Sequence, residues 1–319
     1  MAHSSPPDKV SQTMPGPRYM HVPTFLRTAT IDDPAALDIA LVGVPYDGAV
    51  TNRPGARHGP RELRNASTNM RSIHHVSRIN PYELCRIGDV GDVPFTDIYD
   101  IEAAHREITE FFSRFSQAGV TTLAAGGDHS ITLAIFRALA SIGPLGLIQI
   151  DAHTDTRDES LGSKYNHGTP FRRAVEENLL DPHRTVQVGI RGPQNGTDGW
   201  DYSRDSGMRV IFMEEFTRLG VERVVAEARE ILGDGPTYVS FDIDSLDPAF
   251  APGTGTPEVG GLTTIEALEL VRGLRGLNLV GADVVEVAPA YDPTGNTALV
   301  GATLMYELVC LLAESRSSA

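Results

Sequence analysis

Three short segments gather ionisable residues at spacings that can do chemistry. Gly126-Gly-Asp-His129-Ser130 ends the apolar run that begins at Val120. Asp151-Ala-His153-Thr-Asp155 follows Leu-Gly-Leu-Ile-Gln-Ile, and Asp242-Ile-Asp244 follows Tyr-Val-Ser-Phe. In an extended strand residues i and i+2 share a side, so Asp151 and His153 can aim at one point, with Asp155 just past the strand end; Asp242 and Asp244 can do the same. Carboxylates crowded at the end of an apolar strand repel one another and lose hydration, which cations or hydrogen bonds must offset. No Lys or Arg lies inside either acidic cluster, so metal ions are the natural counter-charge. The four carboxylates Asp151, Asp155, Asp242 and Asp244 are balanced by two divalent ions. One such Asp alone reads as a turn or cap residue, and one His as a satisfied core residue; both clusters together with His129 favour the metal. The donors are oxygen and imidazole without sulfur, which suits Mn2+ better than a structural zinc, with Ni2+, Co2+ and Fe2+ also compatible.

The elements that must carry these residues are legible as short, dense apolar runs. They cover Ile39 to Val44, Val120 to Ala125, Leu145 to Ile150, Thr185 to Ile190, Met208 to Met213, Pro236 to Ile243 and Leu277 to Val287. Dense rather than alternating runs predict a parallel sheet covered on both faces. Amphipathic spacing predicts helices over Ile101 to Gln117, Ser130 to Ser141, Val221 to Leu232, Thr263 to Leu274 and Thr297 to Leu312. The alternation indicates one α/β domain, with its ligand site beyond the carboxyl ends of the strands. No repeat, low-complexity tract or linker divides the chain; residues 1–27 read as a partly ordered arm, settling onto a neighbouring subunit from about Arg18, and 28–319 as a single domain.

Composition narrows the function classes. The net charge of -15 disfavours nucleic acid or an anionic membrane as partner and suits a cationic ligand. No run approaches 18 uninterrupted apolar residues, and the first 27 residues lack a secretory h-region. Two distant cysteines, Cys85 and Cys310, fit buried thiols in a reducing, cytoplasmic compartment. GxGxxG after a strand, GxxxxGK[ST], HExxH and GxSxG are all absent, so no organic cofactor is expected; Gly253 to Pro257 reads as a loop lining the site.

The segments GGDHS, DAHTD and SFDIDSLDPAFAPGTGTP closely resemble the three signatures of the ureohydrolase family, which includes arginases, agmatinases and related guanidino hydrolases; the likeness runs from about Leu41 through the last helix. The resemblance implies a three-layer α/β/α, arginase-like fold with a mainly parallel eight-stranded sheet, a dinuclear manganese site, and assembly as a homotrimer or homohexamer. It implies that His129, Asp151, Asp155 and Asp242 hold one metal and Asp151, His153, Asp242 and Asp244 the other, Asp155 also counting among the catalytic residues. His167, in AsnHisGlyThrPro, resembles the family's proton-shuttling histidine, and Glu286, in ValValGluValAlaPro, the carboxylate that grips the guanidinium. The implied reaction is hydrolysis of a linear guanidino compound to urea and an amine.

Within the family, the segments around Arg53 to Pro60, Gly189 to Gly192 and Glu286 look like agmatinases and guanidino-acid hydrolases more than arginases. Agmatine ranks first as substrate, a linear guanidino acid (4-guanidinobutyrate or 3-guanidinopropionate) second, and a small guanidine or biguanide third. Loop 157–166 is expected to read the substrate's far end: Asp158 and Glu159 would attract an amine, Arg157 or Lys164 a carboxylate. Residues 194–201 form a second candidate wall, in which Trp200 either stacks on a methylene chain or packs. His74 and His75 are not expected to form a third metal site. Two other classes stay open: a non-catalytic partner subunit of a mixed oligomer, which the complete ligand set disfavours, and an amidohydrolase or deacetylase on a related metal fold.

Overall fold

The computed structural model describes residues 16–318. Its strands are β1 (Ile39–Gly43), β2 (Ile87–Asp92), β3 (Thr121–Ala125), β4 (Leu145–Ile150), β5 (Leu180–Ile190), β6 (Arg209–Phe212), β7 (Thr237–Asp242) and β8 (Leu279–Val285). They form a single sheet in the order β2-β1-β3-β8-β7-β4-β5-β6, parallel throughout. The eight-stranded parallel sheet expected from the sequence is therefore present. The strand that the apolar pattern does not reveal is β2, Ile-Gly-Asp-Val-Gly-Asp, whose Gly and Asp residues have low strand propensity. It lies at the sheet edge, where Arg64 clamps it by donating to Asp89 at 2.8 Å and to Asp92 at 2.6 Å.

Strand residues alternate between two apolar layers. Leu41, Leu123, Ile148 and Val239 pack with Val224, Leu270 and Leu308 on one face. Ala40, Ala124, Leu147 and Tyr238 pack with Ile108, Phe112 and Phe136 on the other. Helices Ile101–Gln117 and Val221–Leu232 have the predicted limits. Five shorter helices escape the sequence pattern: Gly59–Ser67, Pro81–Leu84, Pro170–Glu176, Asp198–Ser206 and Met213–Leu219. Each is too short to establish an apolar period. Helix Asn296–Ser318 is long and apolar enough by composition to cross a membrane, which the search for uninterrupted apolar runs did not detect; 78% of its apolar window is buried in the fold, so it is a core helix.

Much of the expected arm, residues 1–15, lies outside the described residues. At its end, Phe25 and Leu26 are buried against the chain's own body: the Phe25 N–H donates to Asp89, the Leu26 N–H donates to Ser67 Oγ, and the Arg64 guanidinium lies 4.0 Å from the Phe25 ring centre.

The order of strands positions the site. The chain lays β1 to β3 on one side and β4 to β6 on the other, then returns with β7 and β8 to fill the gap. The carboxyl ends of β3, β8, β7 and β4 thus become neighbours at the sheet centre, although their residues are far apart in sequence.

His105, on the helix behind β3, is a buried group with a pH consequence. Its Nδ1 has no partner, its Nε2 lies 3.4 Å from Ser130 Oγ, and burial pushes its pKa down to about 3. The ring is neutral when folded and protonates near 6.5 when unfolded, so the stability it contributes is complete above pH 6.5 and is lost as pH falls toward 3. Chemical denaturation between pH 6.5 and 4 should give a stability slope shallower in His105→Leu than in wild type, by up to about 1.4 kcal/mol per pH unit. Equal slopes would mean that His105 is charged in the native state.

Candidate metal centre and pocket

His129 anchors one half of the centre. The ring is fully buried just beyond β3, and its Nδ1 lies 3.1 Å from Asp151, 3.0 Å from Asp155 and 3.2 Å from Asp242. His153 Nδ1 lies 3.1 Å from Asp244 and 3.6 Å from Asp151. Two potential ligand groups result, His129–Asp151–Asp242 and Asp151–His153–Asp244, with Asp151 common to both. Asp242 falls in the first group only, so its expected bridging role has geometric support from one side. All six residues predicted as ligands converge.

These residues fit metal ions better than protons. Despite three carboxylates nearby, His129 Nδ1 makes no hydrogen bond, so its lone pair points into the cluster unpartnered. Burial opposes charge on this ring, yet Asp151, Asp155 and Asp242 outweigh it and push its pKa well up. Burial, then Asp244 and Asp151, hold Asp242 well above the ordinary carboxylate range, and burial and Asp151 raise Asp155. A cation at this point relieves the repulsion that otherwise forces protons onto the carboxylates.

A second layer, which the sequence did not advertise, orients these donors. His129 Nε2 meets Ser240 Oγ at 2.8 Å, and Ser240 donates to Asp283 at 2.7 Å. Asp283 also accepts from Thr132 and Tyr238. With the Ser240 proton committed to Asp283, Nε2 carries the ring proton and Nδ1 the free lone pair. On the other side Gln187 donates to Gln149 Oε1 at 2.6 Å, and Gln149 donates to Asp151 Oδ2 at 2.7 Å. Arg191, nearly buried, donates to the carbonyls of Asp244, Ser245, Leu246 and Glu258 and fixes the turn that carries Asp244. The only prior signal was polar residues inside apolar strands: Gln149, Gln187, Ser240 and Asp283.

Beside the centre lie Glu286 and His167. Glu286 Oε1 accepts from the His129 N–H at 3.0 Å and meets His167 Nδ1 at 3.1 Å, while the buried Oε2 has no partner. Burial lowers the pKa of His167, but Glu286, Asp155 and Asp128 outweigh it and raise it to about 9. Its Nε2 contacts Thr51. Asp155 and Glu286 both have positive φ, 52° and 63°, a strained backbone for residues with side chains. Gly127 is required nearby, because a Cβ there would collide with the Tyr46 carbonyl.

The pocket over these groups is lined by Thr51, Arg157, Ser160, Asn166 and Gln194, together with His153, Asp155, His167 and Asp242. Of the charged loop residues weighed from sequence, Arg157 lines it, held by a 2.9 Å bond to Gln194 Oε1. Asp158 instead pairs with Arg173 at 2.8 Å and Arg172 at 3.4 Å, and Lys164 and Glu159 are exposed. Trp200 does not line the pocket: it sits in helix Asp198–Ser206, edge-on to Phe212. His74 is bonded to Glu307 and Ser77, and no potential ligand group among the described residues includes it.

If Ser240 orients His129 as a ligand, Ser240→Ala should weaken binding of Mn2+, measured by chelator competition, by about 10- to 100-fold. Unchanged affinity would show that the Ser240–Asp283 pair serves packing alone.

The arginase family matches residues 37–310. Guanidinopropionase of Pseudomonas aeruginosa is 60% identical over 300 residues, covering 94% of each chain. Mitochondrial agmatinase of Gallus gallus is 48% identical, covering 92% of this chain and 87% of the relative. The solved structure of proclavaminate amidino hydrolase from Streptomyces clavuligerus has a TM-score of 0.90 at 41% identity, covering 94% of this chain and all of the other. Matching motifs, sheet and overall sequence make this chain a member of the arginase family.

Proposed function

We propose that the protein hydrolyses a linear guanidino acid to urea and an amino acid. Arg157 carries the choice of substrate. Among the described residues it is the one Arg or Lys lining the pocket, and the acidic lining residues, Asp155 and Asp242, belong to the metal cluster. A substrate with a carboxylate at its far end meets Arg157, whereas the second amine of agmatine meets a like charge. This reverses the order expected from sequence, where agmatine ranked first, because Asp158 is engaged by Arg172 and Arg173. The 60% identity to a guanidinopropionase supports the same order.

In this reading His129, Asp151, Asp155 and Asp242 hold one divalent ion, and Asp151, His153, Asp242 and Asp244 the other, with Mn2+ assigned first and Ni2+ or Co2+ compatible. When bound, the ions supply positive charge that lowers the pKa of water and so furnishes a nucleophile at neutral pH. Glu286 offers Oε2 to the guanidinium N–H groups while Oε1 stays with His167. The charge-assisted bonds hold the guanidinium carbon in place for attack. His167 then delivers a proton to the departing nitrogen. Overall, the oxygen of one water enters urea and its two hydrogens end on the amine. Assembly as a trimer or hexamer and a cytoplasmic location belong to the same reading; Cys85 and Cys310 are unpaired and buried.

Urea release by manganese-loaded protein should be fastest with 3-guanidinopropionate or 4-guanidinobutyrate in a panel that includes agmatine, arginine, guanidine and biguanides. Arg157→Gln should lower kcat/KM for the guanidino acids by about 10- to 100-fold, the value of one charged hydrogen bond, and leave agmatine unchanged or improved. Equal losses for acid and amine substrates would sink the carboxylate assignment. His167→Ala should retain both metals, by elemental analysis, and lose most turnover; wild-type turnover would remove its role as proton donor.

A further inference from the structure

Thr51, which lines the pocket, hydrogen-bonds the ring of His167, and nothing in the sequence motifs draws attention to it. Its backbone N–H donates to His167 Nε2 at 3.2 Å, and its Oγ1 lies 2.8 Å from the same nitrogen. A backbone N–H can only donate, so the Nε2 it faces must present a lone pair whenever the ring is neutral. The ring proton then sits on Nδ1, where Glu286 Oε1 accepts it at 3.1 Å.

The segment carrying Thr51 is built to hold this contact. The His167 N–H donates to the Ala49 carbonyl at 3.2 Å, so ring and backbone of His167 are tied to the same turn. The Ala49 N–H in turn donates at 2.9 Å to Asp128, a buried carboxylate that also accepts from the Ser130 N–H. Asp47, deeper in the loop, accepts from the Gly55 N–H at 2.6 Å and from Arg57. The loop is thereby fastened to the turn that bears His129.

We infer that Thr51 is a positioning residue, fixing the Nδ1–H tautomer and the orientation of His167 so that Glu286 keeps one carboxylate oxygen on the ring and leaves the other free for the guanidinium. Without the Thr51 hydroxyl Nε2 keeps only the backbone N–H, and the ring gains a second orientation that breaks the bond to Glu286. The negative groups facing the ring, Glu286, Asp155 and Asp128, favour its protonation, and the Thr51 N–H opposes it at Nε2. His153, Asp242 and Arg157 are the other charged or titratable groups lining the pocket.

The inference rests on the guanidino-hydrolase reading for its kinetic arm alone. Thr51→Val keeps the backbone N–H and removes the hydroxyl. It should lower kcat about 10-fold with KM within twofold, the value of one hydrogen bond, and shift the pH dependence of kcat; Thr51→Ser should restore both. In zinc-loaded, 15N-histidine-labelled protein held at a pH above the titration of His167, with His167 assigned by comparison with His167→Gln, Nε2 should give a pyridine-type and Nδ1 a pyrrole-type resonance. In Thr51→Val, which keeps the backbone N–H, the tautomer should persist while the Nδ1 resonance shifts and broadens as the bond to Glu286 loosens. Wild-type kcat and pH profile in Thr51→Val, a Thr51→Ser variant as impaired as Thr51→Val, or an Nε2–H tautomer of the neutral ring in the wild type would each overturn the inference. The NMR arm needs no turnover, so absence of urea from every guanidino compound would overturn the functional reading and leave the tautomer result to stand or fall by itself.

Discussion

Concentrated negative charge at the centre of the sheet is the constraint on which the structure turns. Asp151, Asp155, Asp242 and Asp244 are buried within a few ångströms of two imidazoles, and their repulsion and lost hydration make the bare cluster costly. Metal charge cancels that cost, which couples ligand binding to the stability of the strand ends. Among the described residues no Lys or Arg side chain is paired with the carboxylates where they converge. Arg191 comes close, but its guanidinium faces backbone carbonyls behind Asp244. Burial lowers its pKa while Asp244 and Asp151 oppose that shift.

Rigidity around the cluster comes from polar side chains planted in apolar strands. The Ser240–Asp283 pair sets one tautomer of His129, and the Gln187–Gln149 pair steers one oxygen of Asp151. Satisfied buried networks of this kind specify a single arrangement of donors. Backbone strain works alongside them. Asp155 and Glu286 each sit at positive φ, a conformation costing about 1–3 kcal/mol that persists when its surroundings over-determine it. The Asp155 carbonyl accepts from the Phe171 N–H, and the Glu286 N–H donates to the Gly127 carbonyl.

The pocket divides its labour. Carboxylates and imidazoles of the metal cluster line one part of it, and neutral polar groups and Arg157 the other. Arg172 and Arg173 of helix Pro170–Glu176 pair with Asp158, while Arg157 lines the pocket.

The sequence by itself carried the architecture and the residues that converge at the candidate metal centre, because both are written locally. Dense runs such as Leu145 to Ile150 and Pro236 to Ile243 predict doubly covered strands, and clustered Asp and His at their ends favour a metal over isolated turn or cap roles. Strand β2 and the five short helices were not legible, since their identity comes from neighbours rather than propensity: β2 exists through β1 and the Arg64 clamp. Long-range order decided the rest. That β7 and β8 return between β3 and β4 is a property of the sheet, and it brings Glu286 to His129 and His167 across more than a hundred residues. Charge in loop 157–166 was visible in the sequence, but its direction was not, because an arginine or aspartate on a loop faces wherever its partners lie, and Gln194, Arg172 and Arg173 are fixed only by folding.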